Sequence, residues 1–250
     1  MTVLASQSVG LLAAAAAVLL SGERFPGPET LAWGAAAGVA GVSGLYAFYR
    51  ALASGQMALV APLTAVIGAG VPAAVGIVRG DQLTALQLGG MACGLVAIMV
   101  VSWPGRAGSR SGPATVRLLP LIVIGGLGFA GFFLAIHQAM SVGATTWWPL
   151  VGARAASVAL TAGIAAVARP PRTGLRAAVP LLLVAGLADY GGNGLFLLAA
   201  RGALSVPVVL SSLYPVTTVM LAAWLLRERL HRWQVAGIAL ALAGVALIAT

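Results

Sequence analysis

Five residues of this sequence are acidic, and only Asp189 stands well inside an apolar stretch. It occurs in LADYGGNGLF, with Tyr190 beside it and Asn193 four positions on, a spacing that on a helix puts Asp189 and Asn193 on one face. A carboxylate at membrane depth costs roughly 2.5–3.5 kcal/mol unless it is paired or hydrated. The simplest partner is Arg154, which lies about 10 Å into its own apolar stretch at ~1.5 Å per residue. Such a pair has two chemistries open to it. It is a structural ion pair, or it is the wall of a polar cavity. In the cavity Asp189 titrates or binds a cationic group, and Arg154 holds it, releases it or receives an anionic substrate group. Ser43, Tyr46 and Arg50, at i, i+3 and i+7, form a polar stripe on another helix, although Arg50 is near enough to the end to reach headgroups. Tyr214 precedes Pro215, with Ser211 and Ser212 upstream and Thr217 downstream; a proline here kinks its helix and either lines a cavity or serves packing. The candidate binding residues are Tyr46, Arg154, Asp189, Tyr190, Asn193 and Tyr214.

Other chemistries are weaker. Ser43 lies in Gly41-Val42-Ser43-Gly44, and with His137 on another helix it could form a Ser–His dyad if the two met within hydrogen-bond reach. Gly126-Leu127-Gly128-Phe129-Ala130-Gly131 spells a dinucleotide fingerprint. That fingerprint needs a strand before it and an acid about 20 positions on, and no acid occurs between Asp81 and Asp189. Helix packing through small residues explains the run better, as it does Gly34-x-x-x-Gly38 and Gly90-x-x-x-Gly94. His137 and His231 have no metal-ligand spacing, so no metal or cofactor is expected. Cys93, the single cysteine, excludes an internal disulfide and reads as a buried small residue.

The elements that position these residues follow from composition. Of 250 residues, 60% are hydrophobic and 8% charged, against about a quarter charged in soluble domains. All fourteen basic residues are arginines, placed in short runs between apolar segments. That is the distribution of topology-setting charge and not of a nucleic-acid-binding face. The chain is therefore an all-α integral membrane protein, too long in its apolar runs and too rich in Ala and Leu for a barrel. Nine helices are predicted, over Val3–Leu20, Leu31–Leu52, Met57–Val78, Leu83–Trp103, Leu118–Met140, Thr146–Ala168, Ala177–Ala200, Val206–Leu226 and Trp233–Ile248. The first lacks the positive n-region of a signal peptide. Trp147 and Trp148 open the sixth as an interfacial aromatic pair.

A shift of 147 positions aligns LASGQMALVAPL with AARGALSVPVVL, and GDQLTALQLGGMACGL with RERLHRWQVAGIALAL. Gly55 then matches Gly202, Gln87 matches Gln234, Gly90 matches Gly237, and Asp81 faces Glu228, without a gap over some fifty residues. Carried backward, the shift puts Gln7 opposite Arg154, and the fifth helix has no counterpart because its partner would precede Met1. The unit is five helices, an odd number, so consecutive units enter the membrane in opposite orientations as inverted repeats. Residues 1–104 form the incomplete four-helix repeat, 105–116 a linker and 117–250 the complete one.

The run SLYPVTTVMLAAWLLRERLHRWQVAGIALALAGVALI, with Pro215, Glu228-Arg229-Leu230, Gln234, Gly237 and Gly244, resembles the end of an EamA-type domain of the drug/metabolite transporter superfamily. WWPLVGAR, with Pro149 five residues before Arg154, resembles that family's second-helix pattern. The resemblance implies ten helices in two five-helix halves and export or exchange of small metabolites. The first helix of that pattern is missing here. Gly68 stands where the second repeat has Pro215, and Asp81-Gln82-Leu83 stands for the acid-arginine-leucine triplet.

These features predict a secondary transporter of small organic metabolites or drug-like compounds in a cell membrane, expected to be a bacterial inner membrane. Its partners are the bilayer, a small-molecule substrate and, as an open case, a second copy in a homodimer; nucleic acid is not among them. A non-transporting assembly partner is the rival reading. A third, an intramembrane serine protease, rests on the likeness of Gly41-Val42-Ser43-Gly44 to the rhomboid-type motif with His137 as base. Alternate loops carry ten arginines against three, which places Met1 inside and Thr250 outside; the family resemblance implies a cytoplasmic C-terminus.

Overall fold

A computed structural model describes residues 2–54, 56–102, 113–168, 175–225 and 231–249 of the chain. Apolar runs with unbroken helix formers fold there as α1 Thr2–Ser21, α2 Pro28–Leu52, α3 Met57–Val78, α4 Ala85–Val101 and α5 Pro113–Gly143. They continue as α6 Trp148–Ala168, α7 Leu175–Ala199, α8 Ser205–Ser211, α9 Tyr214–Leu225 and α10 Arg232–Ala249. No strand occurs among the described residues. Seven of the described helices are long and apolar enough to cross a bilayer, and Ala85–Val101 and Ser205–Leu221 are shorter apolar stretches.

Element boundaries carry the repeat more clearly than sequence identity does. Shifted by 147 positions, α2 coincides end for end with α7, and α1, α3 and α4 fall within a residue of α6, the α8–α9 pair and α10. α5 has no counterpart in the chain. Helix starts obey the same shift. Gln87 Oε1 accepts the backbone N–H of Thr84 at 3.1 Å while Thr84 Oγ1 accepts that of Gln87, a reciprocal cap. Gln234 Oε1 accepts the N–H of His231 at 2.8 Å in the equivalent place before α10.

Two sequence expectations change. The eighth predicted helix is two helices, not one kinked helix. Proline at 215 has no N–H to give, and Val216 and Thr217 turn back instead to the carbonyl of Leu213 at 2.9 and 3.4 Å. Its counterpart α3 runs through unbroken, with Gly68 in the matching place and Pro62 and Pro72 accommodated inside the helix. The linker also ends earlier, since Pro113–Val116 already belong to α5, and proline is tolerated at a helix start. Residues 105–112, Trp103, Gly55, Leu226, the Glu228-Arg229-Leu230 triplet, and Arg106, Arg110, Arg169, Arg172 and Arg227 lie outside the described residues.

The chain groups into two compact units, each drawing helices from both repeats. One comprises Met1–Val42 and Gly131–Gly202. In it α1 packs on α6 and α7. A Cβ on Gly34 or Gly38 would run into the backbone carbonyls of Pro149 and Ala153, so α2 and α6 touch backbone to backbone. α2 seats α5 through Ala40 and Gly41, against Gly131 and Phe132. The repeat-equivalent residues of α7, Leu187 and Ala188, are exposed.

The other unit comprises Ser43–Ala130 and Ala203–Thr250. In it α4 packs on α10, antiparallel: Gly90 meets Ile248 and Gly237 meets Val101, a reciprocal contact of repeat-equivalent positions. Cys93 is half-buried at this seam, against Gly244. The expected small-residue role of the Gly126–Gly131 run holds, with Gly126 pressed on Ile67 of α3 and Gly125 on Thr64 and Phe48. Asp81, in the α3–α4 loop, accepts the backbone N–H groups of Leu204 and Ser205 at 3.0 and 2.8 Å and the Ser205 hydroxyl at 2.5 Å.

Candidate functional site

Three helices of the first unit bring the scarce polar groups together. Gly186 lets α7 approach Ser6 and Val9 of α1, and Gly10 of α1 leaves the gap that the Arg154 side chain lies across. Arg154, 5% exposed, then reaches both helices from α6. Its Nη1 donates to Asp189 Oδ2 at 2.6 Å and to Gln7 Oε1 at 2.5 Å. The expected Asp189–Arg154 pair therefore forms, with one partner enclosed and the other about half exposed, side-chain exposures being 6% and 49%. Asn193 Nδ2 donates to the remaining oxygen, Asp189 Oδ1, at 3.3 Å, which realises the i, i+4 face read from the sequence.

Gln7 was not among the candidate residues, yet it is the repeat equivalent of Arg154 and touches it. Two positions related by a two-fold operation meet only where the axis passes between them. The signal was present in the 147-residue shift, but an uncharged side chain in an apolar helix does not announce itself.

Tyr190 and Trp147 form the aromatic part of the cluster, their ring centroids 6.3 Å apart at 34°. Trp147 therefore packs toward Tyr190, while Trp148 makes an edge contact with Phe25 at 5.2 Å. Among the described residues Arg154 Nη2 and the Tyr190 hydroxyl are buried without a hydrogen-bond partner. Beside them, a Cβ on Gly191 or Gly192 would meet nothing within 4 Å. Tyr46 and Tyr214 belong to the other unit. Tyr46 is exposed on α2, and Tyr214 donates to the Ala61 carbonyl of α3 at 3.3 Å. Ser43 is exposed on the part of α2 in that unit, and His137 lies on the part of α5 in the first. Among the described residues no His, Cys, Asp or Glu cluster could hold a metal ion.

At one end of the first unit lies a second polar cluster with no sequence signal, because Glu23 stands over 120 positions from the residues it meets. Glu23, in the α1–α2 loop, accepts from the Thr145 hydroxyl at 2.5 Å and from the N–H groups of Thr146 and Trp147 at 3.0 Å each. It caps the start of α6, where free N–H groups and the helix dipole favour an anion. Arg201 Nη2 donates to Thr146 Oγ1 at 2.6 Å beside it. Burial pushes the Glu23 carboxyl up, but the hydrogen bonds from Thr145, Trp147 and Thr146 outweigh it and hold it below the ordinary value of 4.5. A depressed carboxyl contributes stability that is present above its unfolded pKa and is lost as pH falls through the folded one. Thermal melts should therefore show the wild type losing stability on acidification below about pH 4.5. Glu23→Gln should start lower at pH 7 and lose less over that window; parallel curves for the two proteins would contradict the capping role.

A chain of apolar helices, seven of the described ones long enough to cross a bilayer, with an ion pair held among three of them, is a multi-pass membrane protein. Residues 116–250 match the EamA-like transporter family, and the chain belongs to that family. Fifteen solved chains are similar in structure. One, described only as a crystal structure of a protein, superposes with a TM-score of 0.72 at 19% identity, covering 99% of this chain and 87% of its own. That likeness establishes the fold. No curated protein matches the sequence.

Proposed function

We propose that the protein is a secondary transporter, an exporter or exchanger of small organic metabolites or drug-like compounds, working in the cell membrane by alternating access. The two repeats, residues 1–104 and 117–250, exchange conformations, and the cluster of Arg154, Asp189, Tyr190 and Asn193 meets the cargo; Tyr46 and Tyr214 are further cargo-contact candidates within their own unit. The observation that carries the reading is the half-exposed Asp189 bound to a buried Arg154 at the contact between repeats. An ionisable pair in an apolar helix bundle favours a functional site, and the accessible acid is what a cargo or proton site needs. Asp189 is then the coupling group, and Arg154 holds it between cycles.

Counterflow in proteoliposomes tests this. A panel of labelled metabolites and cationic and anionic drug-like compounds should reveal at least one that exchanges, with a rate that depends on pH. Asp189→Asn should abolish the pH dependence. If a compound exchanges with unchanged pH dependence in Asp189→Asn, the coupling role is wrong. If nothing exchanges, the second reading takes over: a non-transporting membrane protein acting as an assembly partner. That reading draws on the exposed α7 face at Leu187 and Ala188, whose repeat equivalent on α2 is covered by α5.

A further inference from the structure

The guanidinium of Arg154 is used on one side only. Both hydrogens of Nη1 are engaged, one by Gln7 and one by Asp189, while Nη2 is buried and has no partner among the described residues. A buried charged donor left unpaired is costly, more so than a neutral one, because it has given up water for nothing. The Tyr190 hydroxyl is in the same position, one residue from Asp189 and within electrostatic range of Arg154. Arg154 Nη2 can only donate, so what completes it is an acceptor, and the Tyr190 hydroxyl, which both donates and accepts, can donate to the same group.

We propose that this pair of donors binds the carboxylate of an anionic cargo, which deepens the transporter reading and rests on it. A carboxylate accepts from Nη2 on one oxygen and takes the tyrosine hydroxyl on its other. A dianion fits less well, because Arg154 carries one positive charge and already shares it with Asp189. The body of the cargo is apolar and flat on one side: the Trp147 and Tyr190 rings supply a wall, and the turn at Gly191 and Gly192 leaves room for it. An apolar monocarboxylate is the class of molecule these features describe. Asp189 and the cargo compete for the same positive charge, so binding loosens the ion pair that joins α6 to α7.

Benzoate, with benzamide as its uncharged counterpart, is a suitable probe. Equilibrium dialysis on the purified full chain in lipid nanodiscs should show benzoate bound and benzamide bound at least tenfold more weakly. Tyr190→Phe, which removes one hydroxyl and keeps the ring, should weaken benzoate about tenfold, the value of one hydrogen bond to a charged group. Arg154→Lys should weaken it further, since a single ammonium cannot hold Gln7 and Asp189 on one nitrogen while offering a second to the carboxylate. Equal binding of benzoate and benzamide overturns the proposal. So does wild-type benzoate affinity in Tyr190→Phe, a variant chosen because the fold keeps its ring packing. Exchange of neutral or cationic compounds by the same preparation, without benzoate binding, overturns the carboxylate assignment alone. Benzoate binding with no compound exchanged overturns the transport reading alone.

Discussion

Asp189→Asn is expected to lower thermal stability as well as to remove the pH dependence of exchange. The substitution keeps the shape of the side chain and the bond from Asn193, but it leaves the Arg154 charge buried with only Gln7 against it. Stranding one member of a buried ion pair typically costs about 3–5 kcal/mol, and the half-exposed position of Asp189 puts the expectation at about 2–3 kcal/mol. The double variant Asp189→Leu with Arg154→Met separates the two roles of the pair. Replacing both ions by apolar groups of similar size is often neutral, so its melting temperature should return close to that of the wild type. Its exchange activity should be lost, because the guanidinium proposed to meet the cargo is gone as well. Recovery of both stability and transport in the double variant would show that the pair is structural and that cargo is handled elsewhere.

Gly38→Val should be the most damaging single change outside the polar cluster. A Cβ on Gly38 would overlap the backbone carbonyl of Ala153, and backbone cannot rotate aside as a side chain does. Overpacking costs about 1–3 kcal/mol where side chains can yield, and this contact belongs at or above the upper end. Ala153 immediately precedes Arg154, so forcing α2 away from α6 also displaces the guanidinium. Transport should fall along with the melting temperature. Gly163→Ala is the matched control, because nothing lies within 4 Å of its Cβ position. It should be neutral or stabilise by up to about 1 kcal/mol through helix propensity. Equal melting temperatures for Gly38→Val and the wild type would contradict the backbone contact.

Helices were legible because the apolar runs are long and the charges few; Met57–Val78 was placed to the residue. The repeat was legible through Gln87 and Gln234, whose match proves to be a shared cap. Scarcity of charge also made the Asp189–Arg154 pair readable, since two opposite charges at depth have few alternatives. Other parts depend on long-range geometry that no local pattern records. Pro215 signalled a kink, but whether a helix bends or divides depends on how the neighbouring carbonyls find other donors, and here the chain divides at Ser212 and Leu213. Glu23 reads as one more loop charge until the fold brings Thr145–Trp147 to it from the far side of the sequence. Gln7 needed both kinds of information, the repeat to single it out and the packing to show its contact.

The meeting of Gln7 and Arg154 sets unlike residues against each other. A side chain on a two-fold axis faces its own copy, so a dimer of two identical five-helix chains could set only glutamine against glutamine or arginine against arginine there. The first offers no charge to hold Asp189, and the second drives two buried cations together. An arginine that faces a neutral acceptor and still has a carboxylate to one side needs two halves free to differ at this one position. At the contact of Gln7 with Arg154 unlike side chains stand at positions matched by the 147-residue shift, so this is a place where the two stretches have diverged.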